Sequence, residues 1–393
     1  MPSRNVVLGI ERLCESRFDL ISRAKVGLVC NQASVDHGLK HSADVLRSLD
    51  GVSLKTLFGP QHGIRGDVQD NMVETPHTFD AETGLPVYSL YSETREPTEE
   101  MLRDVEVIVC DLQDVGCRIY TFIYTIANCM RVANRLGKRV IVCDRPNPIG
   151  GLAVEGNLLE PRFESFVGQF PIPTRHGMTA GELSHMFKEE WGINCDLEVV
   201  EMEGWSRDLW FDETDAPWVL PSPNIPTLDS ATVFPGTVHL EGTQMSEGRG
   251  TTRPFELVGA PYIEASVFAK RLEALGLPGV KFRPTNFLPT FQKHSGVTCG
   301  GVQVHVLDRR EFRPVITGVA LVKAGFDLYG EDFRWKEPPY EYVFDKNPFD
   351  VISGTDTLRR AIERGDSLEE IEHTWGAGLK SFNRTREKFL LYS

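Results

Sequence analysis

Residues 54–71 read LKTLFGPQHGIRGDVQDN. The apolar run from Leu54 to Phe58 has the length and composition of a buried strand. It breaks at Gly59-Pro60 and then places Gln61, His62, Arg65, Asp67, Gln69 and Asp70 around Gly63 and Gly66. A buried strand that ends in glycines and dense polar groups is how an open α/β sheet builds a site at its carboxyl edge. The plain alternative is a solvated turn, so the site reading requires other segments that arrive at the same edge.

The flanking sequence supplies them. KVGLVC (25–30), LPVYSLY (85–91), VEVIVCD (105–111) and KRVIVCD (138–144) are further short apolar runs, and SADVLRSL (42–49) and YTFIYTIANCMRVANRLG (120–137) between them have helical spacing. This alternation predicts βαβ units and a parallel sheet covered on both faces. The runs end in Asn31-Gln32, Gln61-His62, Asp111 to Asp114 and Asp144 to Asn147, which a parallel sheet brings to one edge. Further on, Thr179 and Glu182 form a capping box for a helix in HGMTAGELSHMFKEEW, and INCDLEVVEM (193–202) is another strand. The stiff segment PSPNIP (221–226) marks a boundary. Beyond it the sequence predicts helices at 266–276, 311–328, 355–364 and 367–373, and a strand at 298–308. The fold class is therefore α/β: a Rossmann-like parallel-sheet domain over residues 1–222, followed by a smaller α+β domain over residues 223–393.

Composition excludes several functions. The net charge of −14 opposes binding to a nucleic-acid backbone, so no nucleic-acid partner is expected. No run approaches the ~18 apolar residues of a membrane span, so no membrane partner is expected. The N-terminal stretch MPSRNVVLGIERLCESRF lacks a signal-peptide core. The eight cysteines are scattered, several within apolar runs, as buried reduced thiols would be. These features predict a cytoplasmic protein. The first strand is followed by NQASVDHG rather than G-x-G-x-x-G, and no P-loop occurs, so no nucleotide cofactor is expected. His62, Asp67, Asp70 and His77 show no recognised metal-ligand spacing, and a G-x-S-x-G nucleophile motif is missing.

A second dense polar stretch, PGTVHLEGTQMSEGRGTTRPFE (235–256), interleaves Glu241, Glu247 and Glu256 with Arg249 and Arg253 among glycines and hydroxyls. Guanidinium forks take carboxylates, while glutamates accept from sugar-type hydroxyls or act as acid and base. The alternative is a loop of self-satisfied ion pairs. By elimination, the chemistry on offer is carboxylate and imidazole chemistry in a cleft, and glycoside hydrolysis fits it.

FGPQHGIRGD (58–67), CDLQDVGCRIYTFIYT (110–125), DRPNPIGG (144–151), RHGMTAGEL (175–183), PSPNIPTLDSATVFPGT (221–237) and EGTQMSEGRGTTRPFELVGAP (241–261) closely resemble the exo-β-N-acetylmuramidase family, glycoside hydrolase family 171. The resemblance covers essentially the whole chain. It implies a site in the cleft between the two domains, and release of N-acetylmuramic acid from the non-reducing ends of peptidoglycan fragments, without metal or nucleotide. The substrate partner is then a small molecule or glycan carrying that sugar. The resemblance also implies a catalytic glutamate in a motif P-E-H-G-x-R-G, where this chain has Gln61. An amide has no proton to give at neutral pH. Three readings follow: the acid is another carboxylate, with Glu247, Glu241 and Asp114 the candidates; Gln61 positions a water or the substrate's acetamido group; or the fold keeps only sugar binding. The hydrolase is the favoured reading. It predicts Gln61, His62 and Arg65 on one wall with Asp111, Asp114 and Arg118 beside them, and Glu241, Glu247 and Arg249 reaching in from the linker side. Asn224 and Thr251 join Arg65, Asp111, Arg118 and Arg249 as substrate contacts.

Overall fold

The structure is a computed structural model that describes residues 5–70 and 72–393. The first four residues of the N-terminal stretch, and Asn71 at the end of the 54–71 motif, lie outside the described residues. The first half contributes β1 (Lys25–Cys30), β2 (Ser53–Gly59), β3 (Thr78–Phe79), β4 (Pro86–Ser89), β5 (Val107–Asp111), β6 (Arg139–Cys143), β7 (Glu155–Leu158), β8 (Pro173–Arg175) and β9 (Asp196–Val200). Seven of them form one sheet in the order β3-β4-β2-β1-β5-β6-β9, parallel throughout except for the short β3 at its edge. β7 and β8 pair separately as an antiparallel ribbon. The chain builds outward from β1 to β2, then crosses back to add β5 on the other side. The loops after β1, β2 and β5 thus flank a topological switch point, where open α/β sheets hold ligands.

Side chains alternate between the two faces with the period of a strand. Val26, Leu28, Val109, Ile141 and Val200 join one buried cluster, with Leu8 and Ile10 of the N-terminal segment. Val29, Ile108, Cys110, Val140 and Val142 join the other, under helix Phe122–Leu136. This is why these strands read as continuous apolar runs. The capping box holds: the Thr179 hydroxyl accepts from the Glu182 amide, and Glu182 accepts from the Thr179 amide. Glu182 has a second task, since it also forms a buried ion pair with Arg207.

The second half is an α+β unit. β10 (Leu257–Ala260), β11 (Val280–Phe287) and β12 (Cys299–Val306) form an antiparallel sheet in the order β10-β12-β11. Helices Ala265–Glu273, Pro314–Leu328, Thr357–Arg364 and Leu368–His373 fall where the periodicity places them. Helix Leu228–Thr237 and strands β10 and β11 were not foreseen from the pattern. The same apolar cluster that lies under helix Phe122–Leu136 continues through Val258, Leu321 and Phe349 of this second half. One core therefore fixes the second half against the sheet edge that carries Gln61 and His62. All eight cysteines are unpaired.

Candidate active site

The loop after β2 starts the site. Gln61 and His62 follow the strand directly, and His62 takes a left-handed backbone (φ +72°) that turns its side chain back toward the sheet edge. The His62 Nδ1 lies 2.7 Å from the Val68 carbonyl, which can only accept. Nδ1 therefore carries the proton and Nε2 is the acceptor nitrogen. Burial, helped by the Arg249 charge, lowers the His62 pKa to about 4, so the ring is neutral at physiological pH.

The loop after β5 delivers Ile119 to Phe122 alongside, and Thr121 Oγ1 donates to Gln61 Oε1 at 2.9 Å. From the second half come Glu241, Arg249, Tyr340 and Glu341. Together these groups enclose a cleft of about 470 Å³.

Arg249 organises one wall. Gly248 and Gly250 on either side have φ of +80° and +77°, and a Cβ at either would meet a backbone carbonyl at 2.6 Å, so the turn that presents this arginine requires glycine. Its Nη2 donates to Glu241 Oε1 at 2.7 Å, and its Nε lies 3.4 Å from Glu247 Oε1. Tyr340 donates to the other Glu241 oxygen at 2.7 Å. Lys293 Nζ donates to Glu247 Oε2 at 2.8 Å. Burial opposes ionisation of Glu241, yet Arg249 and Tyr340 outweigh it and hold the carboxyl below its usual range. The Arg249 Nη1, in contrast, is buried without a hydrogen-bond partner among the described residues.

On the opposite wall Glu341 is 3% exposed. Gln61 Nε2 donates to its Oε1 at 3.3 Å and the Tyr91 hydroxyl to its Oε2 at 2.8 Å. Burial pushes the Glu341 carboxyl up to about 7, and the charge of Glu241 adds to that. The next residue, Tyr342, ties this segment down: its hydroxyl donates to Glu74 at 2.8 Å, and the Arg95 guanidinium sits between the Tyr91 and Tyr342 rings at 4.3 and 4.4 Å.

The cleft thus unites Gln61, His62, Glu241 and Arg249, with Glu247 directly behind Arg249. The other residues singled out in the sequence sit elsewhere. Asp111 is fully buried and grips Arg145 through two bonds of 2.5 and 2.8 Å. Asp114 accepts from the Gly116 amide and lies 3.3 Å from His176, outside the cleft lining. Arg118 is buried and donates to the carbonyls of Ile352 and Ser353. Arg65 pairs with Asp80 with half its side chain exposed. Asn224 donates to the Gln69 carbonyl at 2.7 Å and so ties the linker to the 54–71 motif. Thr251 bonds the Gly248 carbonyl at 2.6 Å within the Arg249 turn. Tyr91, Tyr340, Glu341 and Lys293 escaped the sequence reading. The one trace of them is PPYEYVF (338–344), an acid between two tyrosines behind a proline pair.

Among the described residues no three His, Cys, Asp or Glu side chains group as metal ligands, and no helix is long and apolar enough to cross a membrane.

Comparison with known proteins places this geometry. Sequence models of the N-terminal and C-terminal parts of exo-beta-N-acetylmuramidase NamZ match residues 26–229 and 232–392. The chain belongs to this exo-β-N-acetylmuramidase family, and is a glycosidase. A family member from Bacillus subtilis (strain 168), named peptidoglycan beta-N-acetylmuramidase NamZ, is 46% identical over 387 residues, 98% of this chain and 91% of that protein. Two solved DUF1343 family proteins from Bacteroides fragilis share the fold. One is 38% identical with a TM-score of 0.89 over 100% of both chains. The other is 27% identical with a TM-score of 0.79 over 99% of both. The Rossmann-like sheet and the smaller second unit are thus features of the family.

Proposed function

We propose that the cleft receives the non-reducing terminal N-acetylmuramic acid of a peptidoglycan fragment and releases it by hydrolysis. The observation that carries this reading is the buried Arg249 Nη1 with no hydrogen-bond partner among the described residues, in a cleft whose lining combines apolar side chains with carboxyl, phenol, amide and neutral imidazole groups. A buried guanidinium N–H without an acceptor is costly. The lactyl ether carboxylate distinguishes N-acetylmuramic acid from N-acetylglucosamine, and it supplies that acceptor. Glu241, held ionised, and the acceptor Nε2 of His62 suit the hydroxyl and amide donors of the sugar. Asp111, Arg118 and Thr251 serve in this reading by holding the walls in place, and Asn224 by fixing the linker. Eight unpaired cysteines fit a reducing compartment such as the cytoplasm.

The test is to compare an aryl β-N-acetylmuraminide with the matching β-N-acetylglucosaminide. A hydrogen bond to a charged group predicts a preference in kcat/KM on the order of ten- to a hundred-fold for the muraminide. Equal rates on the two sugars refute the assignment of Arg249, and no turnover of either refutes the proposed activity.

A further inference from the structure

The cleft contains a carboxyl that no motif pointed to. Glu341 arrives from a segment 280 positions beyond Gln61. It and Tyr342 both take left-handed backbone conformations, at φ +43° and +66°. Two consecutive non-glycine residues in that region are uncommon outside tight hairpin turns. They form the two-residue turn of a tight hairpin that the Tyr340 and Val343 backbones close, and the Tyr91–Glu341 and Tyr342–Glu74 hydrogen bonds hold their side chains. This turn presents the Glu341 carboxyl to Gln61 in the cleft.

We propose that Glu341 is the catalytic carboxyl that protonates the glycosidic oxygen, and that Gln61 and Tyr91 are residues that position it. This rests on the hydrolase reading above and deepens it. Three carboxyl groups stand at or behind the cleft walls, and their partners separate them. Glu241 is bonded to Arg249 and Tyr340, and Glu247 lies between Arg249 and Lys293, so both are matched by cations. Glu341 accepts only from the neutral donors Tyr91 and Gln61 and has no ion pair among the described residues; the Arg95 guanidinium stacked on the Tyr91 ring favours its carboxylate from a distance, and burial with the Glu241 charge outweighs that. Its raised pKa agrees with this arrangement. A pair of carboxyls pushed in opposite directions by their surroundings marks an acid and an ionised partner. Gln61 is fixed at both ends, accepting from Thr121 and donating to Glu341, so an amide at this position serves to aim the neighbouring acid.

In the assigned step the Glu341 proton passes to the glycosidic oxygen while the bond from that oxygen to the anomeric carbon breaks. The bonding electrons leave with the oxygen, the aglycone departs as an alcohol and Glu341 becomes a carboxylate. Water then adds its hydroxyl to the anomeric carbon, and its proton restores the carboxyl. The sum is hydrolysis, with water as the one co-reactant.

The experiment compares wild type and Glu341→Gln on two substrates: a dinitrophenyl β-N-acetylmuraminide, whose leaving group needs no proton, and a disaccharide with N-acetylmuramic acid at its non-reducing end, whose leaving group does. Loss of a general acid is worth on the order of 10²–10⁴-fold. That loss is expected on the disaccharide, with less than about tenfold on the dinitrophenyl glycoside, and the fall of wild-type activity above pH 7 should vanish. Equal losses on both substrates, or a persistent alkaline fall, overturn the proposal. Tyr91→Phe carries the test if Glu341→Gln does not fold. It removes a donor that favours the carboxylate, so the alkaline fall should move to higher pH, and an unmoved profile overturns the proposal. A wild type inactive on both substrates refutes the hydrolase reading itself, an outcome distinct from any confined to the variants.

Discussion

Replacing Gln61 by glutamate sets a second carboxyl 3.3 Å from Glu341 Oε1, where the amide now donates. Two unit charges at that separation repel by about 5 kcal/mol at an effective dielectric constant near 20. At about 1.4 kcal/mol per pH unit, that is enough to hold one proton between the two groups over roughly three further pH units. The pair then titrates in two coupled steps, the second well above the wild-type value near 7. The assay is kcat/KM for an aryl β-N-acetylmuraminide from pH 5 to pH 10. The alkaline limb is expected near 7 in wild type and about three units higher in Gln61→Glu. Stability gives an independent reading. A carboxyl raised from 4.5 to about 7 on folding contributes fully below pH 4.5, loses that contribution between 4.5 and 7, and above 7 leaves the fold about 3 kcal/mol less stable than at acid pH. Glu341→Gln should therefore melt higher than wild type at pH 8 and no higher at pH 4, while Gln61→Glu should melt lower at alkaline pH. Coincident pH profiles and melting curves for wild type and Gln61→Glu refute the coupling of these two side chains.

Three further outcomes follow from the same contacts. Arg249→Gln should lower the muraminide-to-glucosaminide ratio of kcat/KM about ten- to a hundred-fold, a ratio in which effects through Glu241 common to both sugars cancel. It should also lower the melting temperature, because Glu241 loses its buried cation. Asp111→Asn breaks the buried fork with Arg145 and should destabilise the protein by about 3–5 kcal/mol in urea unfolding. The kcat per folded molecule should stay at the wild-type level; a large fall in kcat with an unchanged urea midpoint would instead place Asp111 against the substrate. Dialysis against EDTA should leave turnover unchanged, and its restoration by an added divalent cation would refute the metal-free reading.

The parallel sheet was legible because its evidence is local and repeated. Strands such as VGLVC and VIVCD are buried on both faces, so each is a short continuous apolar run, and the intervening helices keep a period near 3.6. The Thr179–Glu182 box was legible for the same reason, since both bonds close within four residues. The polar ends of the strands marked the sheet edge that borders the candidate cleft, and the 54–71 motif contains Gln61 and His62 of its lining. Strand β11 was hidden because VKFRPTNF carries a proline and alternates buried with exposed positions, as an edge strand does.

What each polar residue does at that edge was decided by tertiary structure. Asp111 and Glu241 look alike in sequence, each an acid beside a glycine-rich or polar turn. In the fold Asp111 meets Arg145 and is consumed by it, whereas Glu241 is carried by the second half into the cleft. Glu341 shows the limit most plainly. Its neighbours in sequence give it no partner that reveals a role, and its environment is made by Tyr91 and Gln61, 250 and 280 positions away. Sequence determines periodicity, caps and turns, because those depend on atoms a few bonds apart. The protonation and reach of a buried carboxyl depend on desolvation and on partners that only the packing of two distant segments brings together.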